Sequence, residues 1–446
     1  MAWERKMMRT VRVRNEQKVG TLARLLAATS SMGASVGSIE MITETAHSVV
    51  RDITVYADDA EHMDKVIEAM RHNTGTRVLE VRDEVLSLHE KGKIAIRSRF
   101  PIDSIGMLRR VYTPGVAEVC LKIADDPALA RMYTSISHMV AIVTDGSAVL
   151  ALGDIGALAS MPVMEAKSML LETLVGLSGM PILLDTRDPD RIIQAVLAIA
   201  PTFAAIQLED ISAPRCFEIE EQLQSLLDIP VMHEDQHGTA VVTIAALMVA
   251  ANRARVDIGR SNIGQIGLGV AGNAIGRMLM RLTGKPVFGA DVNMDALERF
   301  RRAGGRPSNV NEIMSACDIV IAATGQQNVI RPEMVRTGQV ILALSTEVDP
   351  EEALARGAAF AANGQAVNNV LGFPGILRGA IDSHAQRITD EMLFAAVEVL
   401  VSMTPAGEVT PNPLDKKVHQ AVARAVALTA TRQGIARADY VSDVKG

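Results

Sequence analysis

Hydrophobic and polar residues follow two different patterns along the chain. In roughly the first ninety residues, RTVRVRN, SIEMIT, VVRDITVYA and TRVLEVRDEVLSL predict four strands. TLARLLAATSSMGA, with Leu22, Leu25 and Leu26 on one face, and AEHMDKVIEAMRH have the spacing of amphipathic helices. The order β-α-β-β-α-β predicts an antiparallel sheet covered by helices on one face only.

The rest of the chain follows a different pattern. MVAIVTDG, GMPILLDT and AAIQLED are short, rich in Val and Ile, and end in polar residues, as parallel strands buried on both faces do; MEAKSMLLETLVGL is the helix between them. A second alternating pattern runs from 261 to about 375, and helices follow it. The sequence therefore predicts an α/β protein of three domains: 1–90, 91–240 and 241–446.

The first domain resembles an ACT domain, the small amino-acid-binding regulatory module. The resemblance rests on topology, on length and on KVGTLARLL, where Gly20 opens the first helix. It implies a small-molecule effector, although Gly20 fits a plain turn glycine equally well. An open edge strand and an uncovered sheet face favour pairing with another copy. The domain is thus predicted to regulate the protein or merely to dimerise it.

Composition narrows the function. The net charge of −7, with Lys and Arg scattered, offers no basic patch, so we expect no nucleic-acid partner. Cys120, Cys216 and Cys317 are far apart and odd in number, which fits neither a disulfide framework nor a zinc cluster and favours the cytoplasm. The longest apolar run, 240–251, is too short to span a bilayer, so no membrane partner is expected.

A glycine motif predicts a dinucleotide site. Gly267, Gly269 and Gly272 have G-x-G-x-x-G spacing between an apolar strand and a helix, and Asp291 ends the next strand about 20 residues later. This context predicts a Rossmann-type domain whose turn approaches a pyrophosphate at the helix N-terminus. The predicted cofactor contacts in and beside the motif are Gly267, Gly269, Val270, Ala271, Gly272 and Asn273.

The end of the second strand predicts which dinucleotide binds. A carboxylate at Asp291 accepts hydrogen bonds from a free ribose 2′-hydroxyl but repels a 2′-phosphate, and no Arg or Lys follows directly. NAD is therefore predicted over NADP. Thr324 ends a later strand, CDIVIAATG, and is predicted to contact the nicotinamide side.

Three carboxylates predict a metal site. Glu209 and Asp210 follow AAIQL, and Asp235 follows DIPVM, so all three lie where strands end and converge at one edge of a sheet. Each alone fits a helix cap or a surface ion pair. Together they repel unless a divalent cation with oxygen ligands neutralises them.

The chain from about residue 93 onwards resembles the malic enzyme family of the prokaryotic type. The matching segments are YTPGVAE, LGDIG, PVMEAK, LEDI-APRCFEIE, HEDQHGTA, the glycine turn and VNNVLGFPGILRGAID. The resemblance implies oxidative decarboxylation of L-malate to pyruvate and carbon dioxide with reduction of NAD. It also implies Mn²⁺ or Mg²⁺ held by Glu209, Asp210 and Asp235, and a homodimer or higher homo-oligomer.

The same resemblance assigns the catalytic and substrate-binding residues. Lys167 matches the general base that takes the hydroxyl proton, and Tyr112 matches the acid that protonates C3 of enolpyruvate. A lysine acts as a base only if its pKa falls well below about 10.4, which a nearby cation and burial would favour. Asn368 and Asn369 match asparagines near substrate and nicotinamide; alone, the pair also fits a loop turn.

The chain departs from the family pattern at three positions. Glu234 stands where the family usually has aspartate, and we expect it to lie beside Lys167. Ala148 replaces a substrate-binding arginine of the eukaryotic branch, so the second carboxylate of malate has no obvious anchor. Thr346, in LALSTEVDP, replaces an asparagine.

Two alternatives to a malic enzyme stay open. A malolactic-type enzyme would keep NADH in the same site and release lactate. A sensor with a weakened catalytic domain would report NAD or an amino acid to a partner, and the three departures motivate it. The presence of Tyr112, Lys167 and the three carboxylates argues against the sensor.

Overall fold

The structure is a computed structural model that describes residues 7–149, 152–364 and 369–437. The chain divides into two compact units, Met1–Ala95 and Ile96–Gly446.

The N-terminal unit is a four-stranded antiparallel sheet with two long helices. Its strands are paired in the order β2-β3-β1-β4. Val11, Val13, Ile53 and Val55 of the sheet pack with the apolar residues of the helices, whereas every residue of β2 from position 37 onwards is exposed. The elements are β1 (Met7–Glu16), α1 (Thr21–Ser31), β2 (Ser35–Glu44), β3 (Ser48–Ala57), α2 (Ala60–Arg71), β4 (Thr76–Arg82) and α3 (Glu84–His89).

The predicted last strand was wrong in its second half. Strand β4 ends at Arg82, and DEVLSL forms the short helix α3 instead. The carboxylate of Asp83 accepts a hydrogen bond from the amide of Leu86 at 3.0 Å, an N-cap that ends the strand and begins the helix. The order β-α-β-β-α-β of the elements before α3 was predicted correctly.

The second unit begins with a helical segment that buries no side chain. It contains α4 (Ile105–Val111), α5 (Gly115–Asp125) and α6 (Ala130–Tyr133), with a 3₁₀ helix at Pro127–Leu129. Helix α4 packs on α5, and α5 packs on the 3₁₀ helix.

A parallel sheet follows, with its carboxyl ends along one edge. Its strands are β5 (Met139–Thr144), β6 (Ser178–Leu183), β7 (Ala205–Leu208) and β8 (Val231–His233), in the order β6-β5-β7-β8. Its helices are α7 (Met161–Val175), α8 (Pro189–Ile199) and α9 (Arg215–Leu226). Parallel neighbours bring the residues after β7 and β8 to the same edge, as the sequence predicted.

Helix α10 (Glu234–Ala254) connects this sheet to a second parallel sheet. Val241, Val242, Ile244 and Leu247 of α10 are fully buried, and burying a side chain of this size contributes about 1.5–3 kcal/mol. Helix α10 packs on α11 (Val270–Thr283) of the second sheet and on a C-terminal helix, α16 (Asp390–Met403). Among the described residues, no helix is long and apolar enough to cross a membrane.

The second sheet has six parallel strands in the order β11-β10-β9-β12-β13-β14, a Rossmann-type arrangement. The α/β prediction is thereby confirmed. Its strands are β9 (Ile263–Ile266), β10 (Phe288–Ala290), β11 (Arg306–Pro307), β12 (Ile319–Ala322), β13 (Val340–Ala343) and β14 (Phe360–Ala362). The remaining helices are α11 (Val270–Thr283), α12 (Met294–Arg302), α13 (Val310–Ala316), α14 (Pro350–Ala355), α15 (Pro374–Asp382), α16 (Asp390–Met403) and α17 (Lys416–Arg432).

Candidate active site

Four carboxylates follow the ends of β7 and β8. Glu209 and Asp210 come directly after β7, while Glu234 and Asp235 are the first residues of α10, directly after β8. The amide of Asp210 donates a hydrogen bond to Oδ2 of Asp235 at 2.9 Å, which joins the two segments. Glu209, Asp210 and Glu234 are buried, and Asp235 is partly exposed.

The amino group of Lys167 lies between two of these carboxylates. Its Nζ is 2.9 Å from Oε1 of Glu209 and 2.8 Å from Oε2 of Glu234. It also lies 4.8 Å from the centre of the Phe373 ring, a cation-π distance. The lysine projects from α7, so three separate elements meet at this point.

Burial and charge act against each other on the pKa of Lys167. Burial favours the neutral amine, but the charges of Glu209, Glu234 and Asp235 outweigh it and raise the pKa. The sequence predicted a lowered pKa for Lys167. The protein groups around the lysine raise it instead. Burial raises the pKa of Glu209 and, further, that of Glu234, although Lys167 acts to lower both.

The carboxylate cluster suits a divalent metal ion. Oxygen atoms of Glu209, Glu234 and Asp235 all lie within 4.8 Å of one another, and such oxygens are the ligands that Mg²⁺ and Mn²⁺ prefer. Oε1 of Glu234 is buried without a hydrogen-bond partner among the described residues. Glu234 thus belongs to the cluster, whereas Asp210, a predicted ligand, is joined to it through its backbone amide.

The predicted proton donor, Tyr112, lies at the end of α4. Its side chain follows α4 and is 65% exposed. Among the residues that the structure describes, the hydrogen bonds and ion pairs around Lys167 do not include it.

The glycine turn between β9 and α11 has the geometry of a pyrophosphate cradle. Gly267 has φ +84°, a conformation that favours glycine, and a Cβ at Gly272 would lie 1.9 Å from the carbonyl oxygen of Gly267. A Cβ at Gly269 would meet no atom within 4 Å, so this side of the turn is open at the N-terminus of α11. Val270 and Ala271 are half-buried there, and Asn273 is buried.

Asp291 follows β10 and holds the glycine turn in place. Its Oδ2 accepts a hydrogen bond from the amide of Leu268 at 2.6 Å, and its Oδ1 accepts one from the amide of Asn293 at 2.8 Å. The carboxylate therefore lies beside the turn, where the ribose of a bound dinucleotide is expected.

Comparisons with known proteins agree with this geometry. Residues 91–189 and 186–224 match the malic enzyme N-terminal domain, and residues 335–434 match the malic enzyme NAD binding domain. The chain is 50% identical to NAD-dependent malic enzyme 1 of Bacillus subtilis over 96% of its own length and 99% of that protein. The chain belongs to the malic enzyme family.

Two further members of the malic enzyme family are also similar. The bifunctional malic/malolactic enzyme of Bacillus subtilis is 37% identical over 80% of this chain and 95% of its own length. The crystal structure of malic enzyme from Pyrococcus horikoshii has a TM-score of 0.75 and 36% identity, covering 80% of this chain and 92% of that one.

The departures from the malic enzyme pattern have distinct surroundings. The amide of Ala148 donates to the carbonyl of Asp210 at 2.9 Å, so its backbone supports the carboxylate edge. Thr346 is exposed. Asn369 opens a short 3₁₀ helix, whereas Asn368 lies outside the described residues.

Arginines also reach the carboxylate edge of this malic enzyme. Asp145 follows β5 and is fully buried, and its Oδ2 is 3.0 Å from Nη2 of Arg215 and 3.8 Å from Nη1 of Arg187. This edge, which has alanine at position 148, therefore carries two arginines.

Sequence reasoning missed three polar residues that support the predicted sites. Gln207 donates to Oε2 of Glu209 at 2.7 Å. Glu347 is fully buried and accepts hydrogen bonds from the amides of Thr324 and Gly325, both at 2.9 Å. Glu220 holds the first turn of α10. Of these three residues, only Glu347 could have been noticed in the sequence, because it lies in LALSTEVDP, the segment that departs from the family pattern.

Proposed function

We propose that the protein oxidatively decarboxylates L-malate to pyruvate and carbon dioxide and reduces NAD. The position of the Lys167 amino group between Glu209 and Glu234, at the edge shared by β7 and β8, carries the proposal. The names of the relatives, NAD-dependent malic enzyme among them, support the same reaction.

The chain's own residues fit the steps of this reaction. Lys167 takes the proton of the C2 hydroxyl as the C2 hydride leaves, and Glu234 holds its amino group in place. Glu209, Asp210 and Asp235 would hold Mn²⁺ or Mg²⁺, which would supply positive charge to stabilise the negative charge that develops on the substrate, and NAD would supply the hydride acceptor. The bond between C3 and C4 then breaks, carbon dioxide leaves, and Tyr112 protonates C3. Asn368 and Asn369 bind substrate and the nicotinamide side.

The charge around Lys167 explains why this base needs a cation beside it. Three carboxylates raise its pKa, which disfavours the neutral amine that a base requires. Positive charge bound by Glu209 and Asp235 would offset part of that effect, so that burial, which favours the neutral amine, would count for more.

The exposure of Tyr112 supports a homodimer or higher homo-oligomer. Helices α4 and α5 bury no side chain, and Ile105, Leu108 and Leu121 are exposed together with Tyr112. A second copy that covers this apolar surface would remove Tyr112 from solvent. Sedimentation of the purified protein tests this assembly, and a monomer at the concentrations of the activity assay contradicts it.

The glycine turn and Asp291 support NAD as the cofactor. We expect that Asp291→Asn lowers the preference for NAD over NADP about tenfold, equivalent to about 1.4 kcal/mol, because it removes the charge that repels a 2′-phosphate. The measurement is the ratio of kcat/KM for the two cofactors.

The neighbouring Asp295→Asn is the matched control for Asp291. Asp295 is exposed in the first turn of α12. Its replacement should leave the ratio of kcat/KM unchanged. An unchanged ratio for Asp291→Asn would show that this residue does not read the ribose.

Absorbance of free NADH with malate, NAD and Mn²⁺ tests the reaction itself. We expect NADH and pyruvate to appear in equal amounts. Formation of lactate without accumulation of NADH would instead show a malolactic-type enzyme, the activity that the name of one relative includes. Binding of NAD without any turnover would favour the sensor.

The N-terminal unit supports a regulatory role. Its fold order is that of an ACT domain, and the exposed β2 offers a surface for an effector or for another copy. The free thiols of Cys120, Cys216 and Cys317 support a cytoplasmic location, where thiols stay reduced.

A further inference from the structure

Glu220 is a buried carboxylate that the proposed reaction does not use. It projects from α9, and its side chain is 8% exposed. One oxygen, Oε1, accepts a hydrogen bond from the amide of His233 at 2.7 Å and lies 2.9 Å from Nε2 of His237. The other, Oε2, accepts a hydrogen bond from Nε2 of Gln236 at 2.9 Å.

All three partners of Glu220 belong to the segment that begins α10. The same five residues, 233–237, contain Glu234, which contacts Lys167, and Asp235, which binds the amide of Asp210. Glu220 therefore binds the same five-residue segment that carries Glu234 and Asp235 of the carboxylate cluster.

The charge of Glu220 suits this position. Burial alone would raise its pKa, but the charge of His237 and the hydrogen bonds hold the pKa below its ordinary value, so the carboxylate is ionised at neutral pH. An anion near the first turn of a helix is favourable, because the unpaired amides there carry partial positive charge. Glu220 thus stabilises the start of α10 both by geometry and by charge.

We propose that Glu220 is a positioning residue that fixes the first turn of α10, and with it Asp235, in the geometry required for metal binding. The inference rests on the proposed metal site. Residues that orient ligands in this way typically contribute 10–100-fold to metal affinity. The function of Glu220 is therefore exerted through the first turn of α10, without contact with the substrate.

Glu220 and a matched control residue line the same cavity, which also borders α10. The cavity has a volume of about 490 Å³ and is lined by Glu220 and by its neighbour in the chain, Glu221. Glu221 is exposed and makes none of the hydrogen bonds described for Glu220. Glu221→Gln removes a charge from the same helix and the same cavity but leaves the start of α10 intact.

Mn²⁺ binding to the full-length protein, measured by electron paramagnetic resonance of the free ion, tests the proposal. We expect Glu220→Ala to weaken Mn²⁺ binding by about 10–100-fold. Glu220→Gln should weaken it less, because the amide oxygen still accepts the hydrogen bond from His233. Glu221→Gln should bind Mn²⁺ like the wild type, and NAD affinity should stay within about twofold in every variant.

The outcomes separate this inference from the proposed function. Failure of the wild type to bind Mn²⁺ would contradict the metal site itself. Wild-type Mn²⁺ affinity in both Glu220 variants would overturn the positioning role alone, as would equal weakening in Glu221→Gln. A parallel loss of NAD affinity would show that Glu220 merely supports the fold.

If Glu220→Ala does not fold, Glu220→Gln decides: at least about threefold weaker Mn²⁺ binding supports the role, and unchanged binding overturns it.

Discussion

Replacement of Lys167 by alanine is expected to lower malate turnover by about 10²- to 10⁴-fold, the usual contribution of a general base. The amino group lies within 2.9 Å of Glu209 and 2.8 Å of Glu234, and alanine offers neither the base nor the positive charge. Without that charge, the pKa of both carboxyl groups rises further, since Lys167 acts to lower them. The measurement is kcat with saturating Mn²⁺, NAD and malate.

Two further variants identify the role of the lysine. Lys167→Arg keeps a positive charge but cannot release its proton, so it should be nearly as inactive as Lys167→Ala. Lys285→Ala, at an exposed position after α11, should leave turnover unchanged. Recovery of turnover in Lys167→Arg would mean that the site needs only a charge at this position. Normal turnover in Lys167→Ala would contradict the proposed reaction.

The convergence of the carboxylates was predictable because local patterns determine it. Apolar runs before Glu209 and Asp235 identified β7 and β8, and parallel neighbours must end at the same edge. The glycine turn was predictable for the same reason, since its spacing and the flanking strands are local. The segment DEVLSL was misassigned because its alternation mimics a strand, whereas the cap at Asp83 decides for a helix.

Other features depend on contacts between distant parts of the chain. In the sequence, Glu220 is one of several charges in EIEEQL, and only the packing of α9 against the start of α10 shows its three partners. The exposure of Tyr112 is likewise a property of the folded unit. The pKa of Lys167 could not be predicted from burial alone. Burial lowers this pKa, but three carboxylates from two strand ends raise it.

Removal of the Asp235 carboxylate is expected to abolish metal-dependent turnover while leaving NAD binding intact. Asp235 contributes an oxygen to the carboxylate cluster, and its side chain is 28% exposed, so truncation costs the fold chiefly the hydrogen bond from the amide of Asp210. We expect Asp235→Ala to weaken Mn²⁺ binding by more than about 100-fold, beyond the effect typical of residues that only orient ligands. Malate turnover should fall with it, and the glycine turn, on a different sheet, should bind NAD within about twofold of the wild type.

Asp235→Asn separates the charge of this residue from its hydrogen bond. The amide oxygen still accepts the bond that Oδ2 receives from the amide of Asp210, but the ligand charge is lost. Mn²⁺ affinity should therefore fall in Asp235→Asn as well, whereas Asp228→Ala, 83% exposed in the same segment, should bind Mn²⁺ normally. Full Mn²⁺ affinity in Asp235→Asn would remove this residue from the metal site. Joint loss of NAD and Mn²⁺ binding in Asp235→Ala would show that Asp235 stabilises the fold. Removal of a residue that only binds the metal would leave the dinucleotide site unchanged.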